Sequence, residues 1–259
     1  MQILSVFSGA GGVTKTTSAV SLAMASAEIG DDTVLIDLDP RAAASTWTRT
    51  EPKEPGWTVN AILDAADSEG WAEQLAVPST WHPRLRVIPS ESAVEHREKT
   101  AVDDMELRLK RSLAGLKAER VVIDCPNRTG GLLLRSALLA STHVVYAADP
   151  TEDGAAGVES ATESVARFKK SQADRGVPDH LTEAGIVVSK YHYGAVTHDI
   201  EKFSIDDMEE MGTVLYPLIP HQPFVRKCRR AGEWFGDFRQ GAKLKDAYME
   251  IAGKVFNND

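Results

Sequence analysis

Short apolar runs alternate along this chain with longer stretches whose apolar positions recur at helical spacing. "ILSVF" (3–7), "TVLIDLD" (33–39), "LRVIP" (85–89), "RVVIDCP" (120–126), "HVVYAADP" (143–150) and "AGIVVSK" (184–190) read as buried strands. Residues 16–29 follow the first strand as a helix, with Val20, Ala23, Met24 and Ala27 facing inward and Gly30 as the stop. Residues 102–116 place Val102, Met105, Leu109, Leu113 and Leu116 on one helical stripe; 154–170 do the same with Val158, Ala161, Val165 and Phe168. Continuous β-branched runs separated by helices predict a doubly wound α/β domain, a mostly parallel sheet with helices on both faces. No repeat, low-complexity tract or linker divides the chain, so residues 1–259 are expected to form a single domain. The least regular segment, 41–84, holds Trp47, Trp57, Trp71 and Trp81, expected to pack rather than to stack on a ligand.

Composition narrows this little. The chain of 259 residues is 42% hydrophobic and 26% charged, as an ordinary globular domain is. A formal charge of −9 means that nucleic-acid contact needs a local basic patch. The two cysteines, Cys125 and Cys228, lack metal-ligand spacing and suit a reducing cytoplasm. "MQILSVFSG" has no basic leader, and "LLLRSALLA" is split by Arg135, so neither a secretion signal nor a membrane span is expected.

"SGAGGVTKTTSA" (8–19) has nearly the spacing of a phosphate-binding loop, with Gly9 opening it, Lys15 and Thr16 closing it, and Thr14 where the last glycine belongs. It follows a strand and opens a helix, so its amides and the positive helix end converge on one anion site. Lys15 can reach terminal phosphates, and the Thr16 hydroxyl can coordinate magnesium. "LIDLDPR" adds Asp37 and Asp39, and "VVIDCP" adds Asp124, all at the edge where ligands sit in an open parallel sheet. Any one aspartate could merely end its strand. Three in this order after the loop point to a magnesium–nucleotide site of P-loop NTPase type.

These motifs resemble the ParA/Soj partition ATPases, in the deviant-Walker group that includes MinD and the nitrogenase iron protein. The family's loop reads KGGVGKTT, against "AGGVTKTT" at 10–17; its DLDPQ meets "DLDPR" at 37–41; its IDCPPSLGLLTLNAL meets "IDCPNRTGGLLLRSAL" at 123–138. "YPLIPHQPFVRKCRRAGEWF" (216–235) resembles the late strand and turn that close the base pocket, and "AKLKDAYMEIAGKV" (242–255) the C-terminal helix. The resemblance implies ATP and Mg2+ as ligands, with phosphates bound by Gly11, Gly12, Val13, Thr14, Lys15, Thr16 and Thr17. It implies Thr16 as magnesium ligand, Asp124 as the acid behind the magnesium, Asp37 as part of the first switch, and Lys15 and Asp39 as the catalytic pair. Ser189, Pro220 and His221 are expected at the adenine by location.

Two departures bear on this. Thr14 puts a β-branched residue where positive φ is costly, which predicts a shifted loop rather than a dead one. Ala10 replaces the family's signature lysine, which in relatives reaches the partner's nucleotide. Arg128, just after the second aspartate strand, is the expected compensating cation, with Arg41 as second choice.

The implied function is DNA partition by a weak, partner-stimulated ATPase. An ATP-bound homodimer or polymer would bind DNA without sequence preference and be released through a ParB-like centromere-binding adaptor. Arg226, Lys227, Arg229 and Arg230 supply the local basic patch. A cytoplasmic, nucleoid-associated protein is expected, with no helix-turn-helix ahead of the first strand. A MinD-like membrane positioner ranks lower, because "YMEIAGKVFNND" reads as a packed final helix rather than an amphipathic anchor. A metabolic P-loop enzyme, either an amidoligase-type synthase or an iron–sulfur reductase, is the remaining alternative.

Overall fold

The computed structural model describes residues 1–12, 14–99, 104–193 and 198–256. Val13 and Val102 lie outside them. In chain order the elements are β1 (Gln2–Phe7), α1 (Lys15–Ile29), β2 (Thr33–Asp37), α2 (Ala43–Thr48), α3 (Val59–Asp64) and α4 (Trp71–Leu75). There follow β3 (Val77–Pro78), β4 (Leu85–Ile88), a 3-10 segment (Ser92–Lys99), α5 (Met105–Ser112), β5 (Arg120–Asp124), α6 (Leu132–Ala140) and β6 (His143–Ala148). The chain continues through α7 (Glu152–Ala173), β7 (Thr182–Val188), α8 (His198–Met211), β8 (Val214–Leu215), α9 (Phe224–Ala231) and α10 (Ala242–Phe256).

One sheet carries the fold, in the order β3-β4-β2-β5-β1-β6-β7-β8. Its ladders are parallel except for β3 against β4. β1 lies between β5 and β6, so the chain leaving β1 enters the crevice where the strand order reverses. Along β1, Leu4 and Val6 enter one core with α1, α10 and Trp47, while Ile3 and Phe7 enter another with α3, α5, α6, α7 and α8. The period-two alternation of a strand therefore builds both layers.

Every expected strand is present, and each ends one or two residues before the expected run does, except β1, which ends with it. The run 33–39 leaves the ladder after Asp37, where the Asp39 amide turns back to donate to Asp37 Oδ1 at 3.2 Å. α7 starts earlier than expected because Thr151 Oγ1 accepts from the Gly154 amide at 3.0 Å. The helix expected over 102–116 is limited to Met105–Ser112, yet Leu113 and Leu116 remain buried beyond its end. α1 is enclosed on nearly every side, between the sheet and α10, which its Ala- and Ser-rich surface permits. Trp47 and Trp81 pack against each other and against Trp234, as core residues do.

Candidate functional site

The loop from β1 to α1 is pressed against the first turns of α7. A Cβ on Gly9 would lie 2.4 Å from the Gly157 carbonyl, and one on Gly157 would lie 2.6 Å from the Ala10 Cβ. Glycine is required on both sides of this contact. Thr14 adopts φ 66° and ψ 16°, the left-handed conformation that a glycine would take without strain. From there α1 begins, with its first amides facing the same space as Lys15 and Thr16.

Lys15 is buried, and its Nζ lies 2.5 Å from Asp124 Oδ1 and 3.7 Å from Asp39 Oδ2. Burial lowers the affinity of this amine for its proton, but the charge and hydrogen bond of Asp124 outweigh it, and the pKa is raised overall. The second Asp124 oxygen, Oδ2, is buried with no hydrogen-bond partner among the described residues. A buried carboxylate oxygen left in this way is placed for a ligand.

Asp39 accepts a forked pair of bonds from Arg41, Nε at 3.1 Å and Nη2 at 2.8 Å. Burial pushes the Asp39 carboxyl up, but the Arg41 bonds and the Lys15 charge bring it below the ordinary value. Asp37 is placed otherwise than the sequence suggests. Its Oδ2 accepts from both the amide and the hydroxyl of Ser45, at 2.8 and 2.7 Å, and its Oδ1 from the Asp39 amide. Asp37 thus braces the turn that aims Asp39. Burial, with the neighbouring Asp124 charge, pushes its carboxyl up to about 7.

A cleft of about 380 Å³ opens beside this cluster. Gly12, Thr14, Lys15, Thr16 and Thr17 line one part of it; Ser189, Pro220 and His221 line another, together with Ile219 and Tyr248. The phosphate-side and base-side residues expected from the sequence thus share one space, although Gly11 is not on its wall and Val13 lies outside the described residues. Among the described residues no group of three or more His, Cys, Asp or Glu converges on a metal ion.

Other residues of the site were not foreseen. Lys190, at the end of β7 with φ 64°, donates to the Gly12 carbonyl at 2.7 Å and to Asp149 at 2.9 Å, tying the loop to the β6 edge. Its only sequence signal is a lysine closing an apolar strand. Asn127 also lines the cleft.

The four cations of the basic cluster are all exposed, and two of them also line the cleft. Arg226 and Arg229, three apart on α9, line the cleft, and the Arg229 guanidinium carbon sits 5.7 Å from the Trp47 ring centroid. Lys227 and Arg230 occupy the neighbouring stripe and are exposed. Arg128 does not line the cleft; its guanidinium pairs with both carboxylate oxygens of Glu95.

A family model described as an AAA domain matches residues 1–175. The chromosome partitioning protein ParA of Myxococcus xanthus is 26% identical over 263 residues, covering 100% of this chain and 89% of that protein. The sporulation initiation inhibitor protein Soj of Bacillus subtilis is 34% identical over 149 residues, 56% of each chain. A solved ATP complex of a Cyanothece McdA variant is similar in fold, with a TM-score of 0.83 and 15% identity over 100% of this chain and 97% of that one. The chain belongs to this AAA-domain family, as a ParA/MinD-type P-loop ATPase.

Proposed function

We propose that this chain is a DNA-partition ATPase, which binds and slowly hydrolyses ATP with Mg2+ and holds DNA without sequence preference in its ATP-bound state. The observation that carries the ATPase reading is that Lys15, on the wall of the cleft that Ser189, Pro220 and His221 also line, pairs with Asp124 and Asp39 buried behind it, with one Asp124 oxygen unpartnered.

The residues present fit the ligand. Amides from Gly11 to Thr17 and the Lys15 ammonium would hold the phosphates, while Thr16 and Asp124 would hold magnesium. Magnesium, when bound, supplies charge neutralisation for the phosphates. Lys15 can turn from Asp124 toward the terminal phosphate, because both are anionic partners within its reach. Asp39, aimed by the Asp37 turn, is positioned to accept a hydrogen bond from the attacking water and orient it in line. Self-association would accompany the ATP-bound state, with Arg128 leaving Glu95 to meet negative charge within the subunit or across the dimer. A ParB-like adaptor would accelerate turnover and so release DNA.

One feature favours partition over a membrane-positioning role. α10 buries Leu244, Tyr248, Ile251 and Val255 against the body, so this helix is engaged in the fold. No helix among the described residues is long and apolar enough to cross a membrane. The exposed cations Lys227 and Arg230 instead offer phosphate contacts.

The test is retention of DNA by the purified protein with no nucleotide, ADP, ATP and a non-hydrolysable analogue, alongside anionic vesicles. Retention on DNA with ATP or the analogue only is expected. ATP-dependent retention on vesicles without DNA binding would overturn the partition reading. A coloured iron-containing protein would favour the reductase alternative.

A further inference from the structure

Five cations line the cleft: Lys15, Arg41, Lys190, Arg226 and Arg229. Three are already neutralised, Lys15 by Asp124 and Asp39, Arg41 by Asp39, and Lys190 by Asp149. Arg226 and Arg229 form no ion pair among the described residues; Arg229 feels the Asp124 charge only at a distance and rests on the Trp47 ring. Like charges three apart on a helix repel each other, and a guanidinium against an indole gives up part of its hydration. Burial accordingly draws the Arg229 pKa below its ordinary value. An anion in the cleft would meet both groups at once. The glycine-rich loop supplies no further charge, because position 10 is alanine.

We propose that Arg226 and Arg229 form a clamp on the polyphosphate of the bound nucleotide within the same subunit, and that Arg229 exchanges its Trp47 contact for phosphate. This rests on the assignment of the cleft to ATP. It divides α9 into two stripes of different function. Arg226 and Arg229 serve the nucleotide, and Lys227 and Arg230 are left for DNA. Trp47 sits on α2, which follows the Arg41 turn, so movement of Arg229 would register beside the water-positioning residues.

Equilibrium binding of ATP, ADP and adenosine to Arg226→Ala, Arg229→Ala and the double variant tests this, with tryptophan fluorescence recorded in parallel. Each single change should weaken ATP by about tenfold or more, the scale of one charge-assisted bond, while adenosine affinity stays within about twofold. Arg229→Lys should recover only part of the loss, because an ammonium lacks the planar fork. ATP should change the fluorescence of the wild type and not of Arg229→Ala. At saturating ATP the double variant should keep the wild-type salt dependence of DNA binding. Replacing Lys227 and Arg230 should flatten that slope by up to about 2.

Unaltered ATP affinity in the double variant would overturn the clamp. So would a flattened DNA salt slope in that variant, which would return both arginines to DNA. Should Arg229→Ala fail to fold, Arg229→Gln keeps the Cβ–Cδ stem and a polar end while removing the charge. Failure of the wild type itself to bind ATP would instead defeat the assignment of the cleft.

Discussion

Asp37 and Asp124 are direct partners across the parallel ladder of β2 and β5, so two buried carboxyls stand side by side at the carboxyl edge of the sheet. Adjacent like charges in a dry interior are tolerated only if each has its own partners. Asp124 has Lys15; Asp37 has Ser45. The Ser45 hydroxyl also accepts from the Ser90 amide at 2.9 Å. Ser45→Ala should therefore leave two buried groups short of a bond and cost about 1–3 kcal/mol, read by denaturant unfolding. A stability equal to wild type would show that water replaces the hydroxyl.

Lys15 and Asp39 touch each other and should still separate in function. Lys15→Ala should abolish ATP binding and turnover together, because the phosphates lose their buried counter-charge. Asp39→Ala should bind ATP and fail to hydrolyse it. Equal loss of ATP binding in both would show that their roles are not distinct. Calorimetry and phosphate release measure the two properties.

Thr14 holds φ 66° in a loop position where glycine carries no penalty. Thr14→Gly should raise stability by at most about 1 kcal/mol, the relief of left-handed strain less the added freedom of the unfolded chain. ATP affinity should rise with it, as the loop amides settle around phosphate. Weaker ATP binding would instead show that the Thr14 side chain is part of the site.

Gly157 lets α7 lie against the loop. Gly157→Ala should displace Ala10, since its Cβ would fall 2.6 Å from the Ala10 Cβ. Overpacking of this kind costs about 1–3 kcal/mol, and ATP affinity should fall as the loop shifts. Adding Ala10→Gly removes the closest clash and should restore part of both. Additive losses in the double variant would refute the contact.

Away from the site, Glu106 of α5 joins α6 through Arg135, at 2.8 and 3.1 Å, and also meets Arg175 at 3.4 Å. The Arg135 bonds hold its carboxyl below the ordinary value of a glutamate. A depressed folded pKa gives stability that is present above the unfolded value and is lost as pH falls through the folded one. Glu106→Gln should thus lower stability at pH 7 by no more than about 1 kcal/mol, given the solvent around the group. The difference from wild type should begin to shrink as the pH falls through the ordinary glutamate value and vanish below the depressed one, in paired thermal melts.

Local pattern determined much of this protein. Buried parallel strands are continuous apolar runs, and a phosphate loop is a short backbone conformation, so both are written in consecutive residues. The six expected strands and the order of Lys15, Asp39 and Asp124 follow from that, whereas of the four tryptophans expected to pack, Trp47, Trp57 and Trp81 do so and Trp71 is exposed. Tertiary structure alone decided which groups meet. Asp37 reads as a site acid, yet the register that sets it beside Asp124 commits it to Ser45, eight residues on. Lys190 reaches Gly12 across 178 positions of sequence. "RKCRR" reads as one patch, because sequence counts charges and not directions. All four side chains are exposed, and only the winding of α9 sets Arg226 and Arg229 along the cleft and Lys227 and Arg230 on the stripe beside it. Arg128 stands next to the site in sequence, but the 3-10 segment brings Glu95 to it and occupies its charge. Ion pairs and cleft walls depend on where distant segments are brought together, and that position is set by burial of the two cores rather than by any residue of the site.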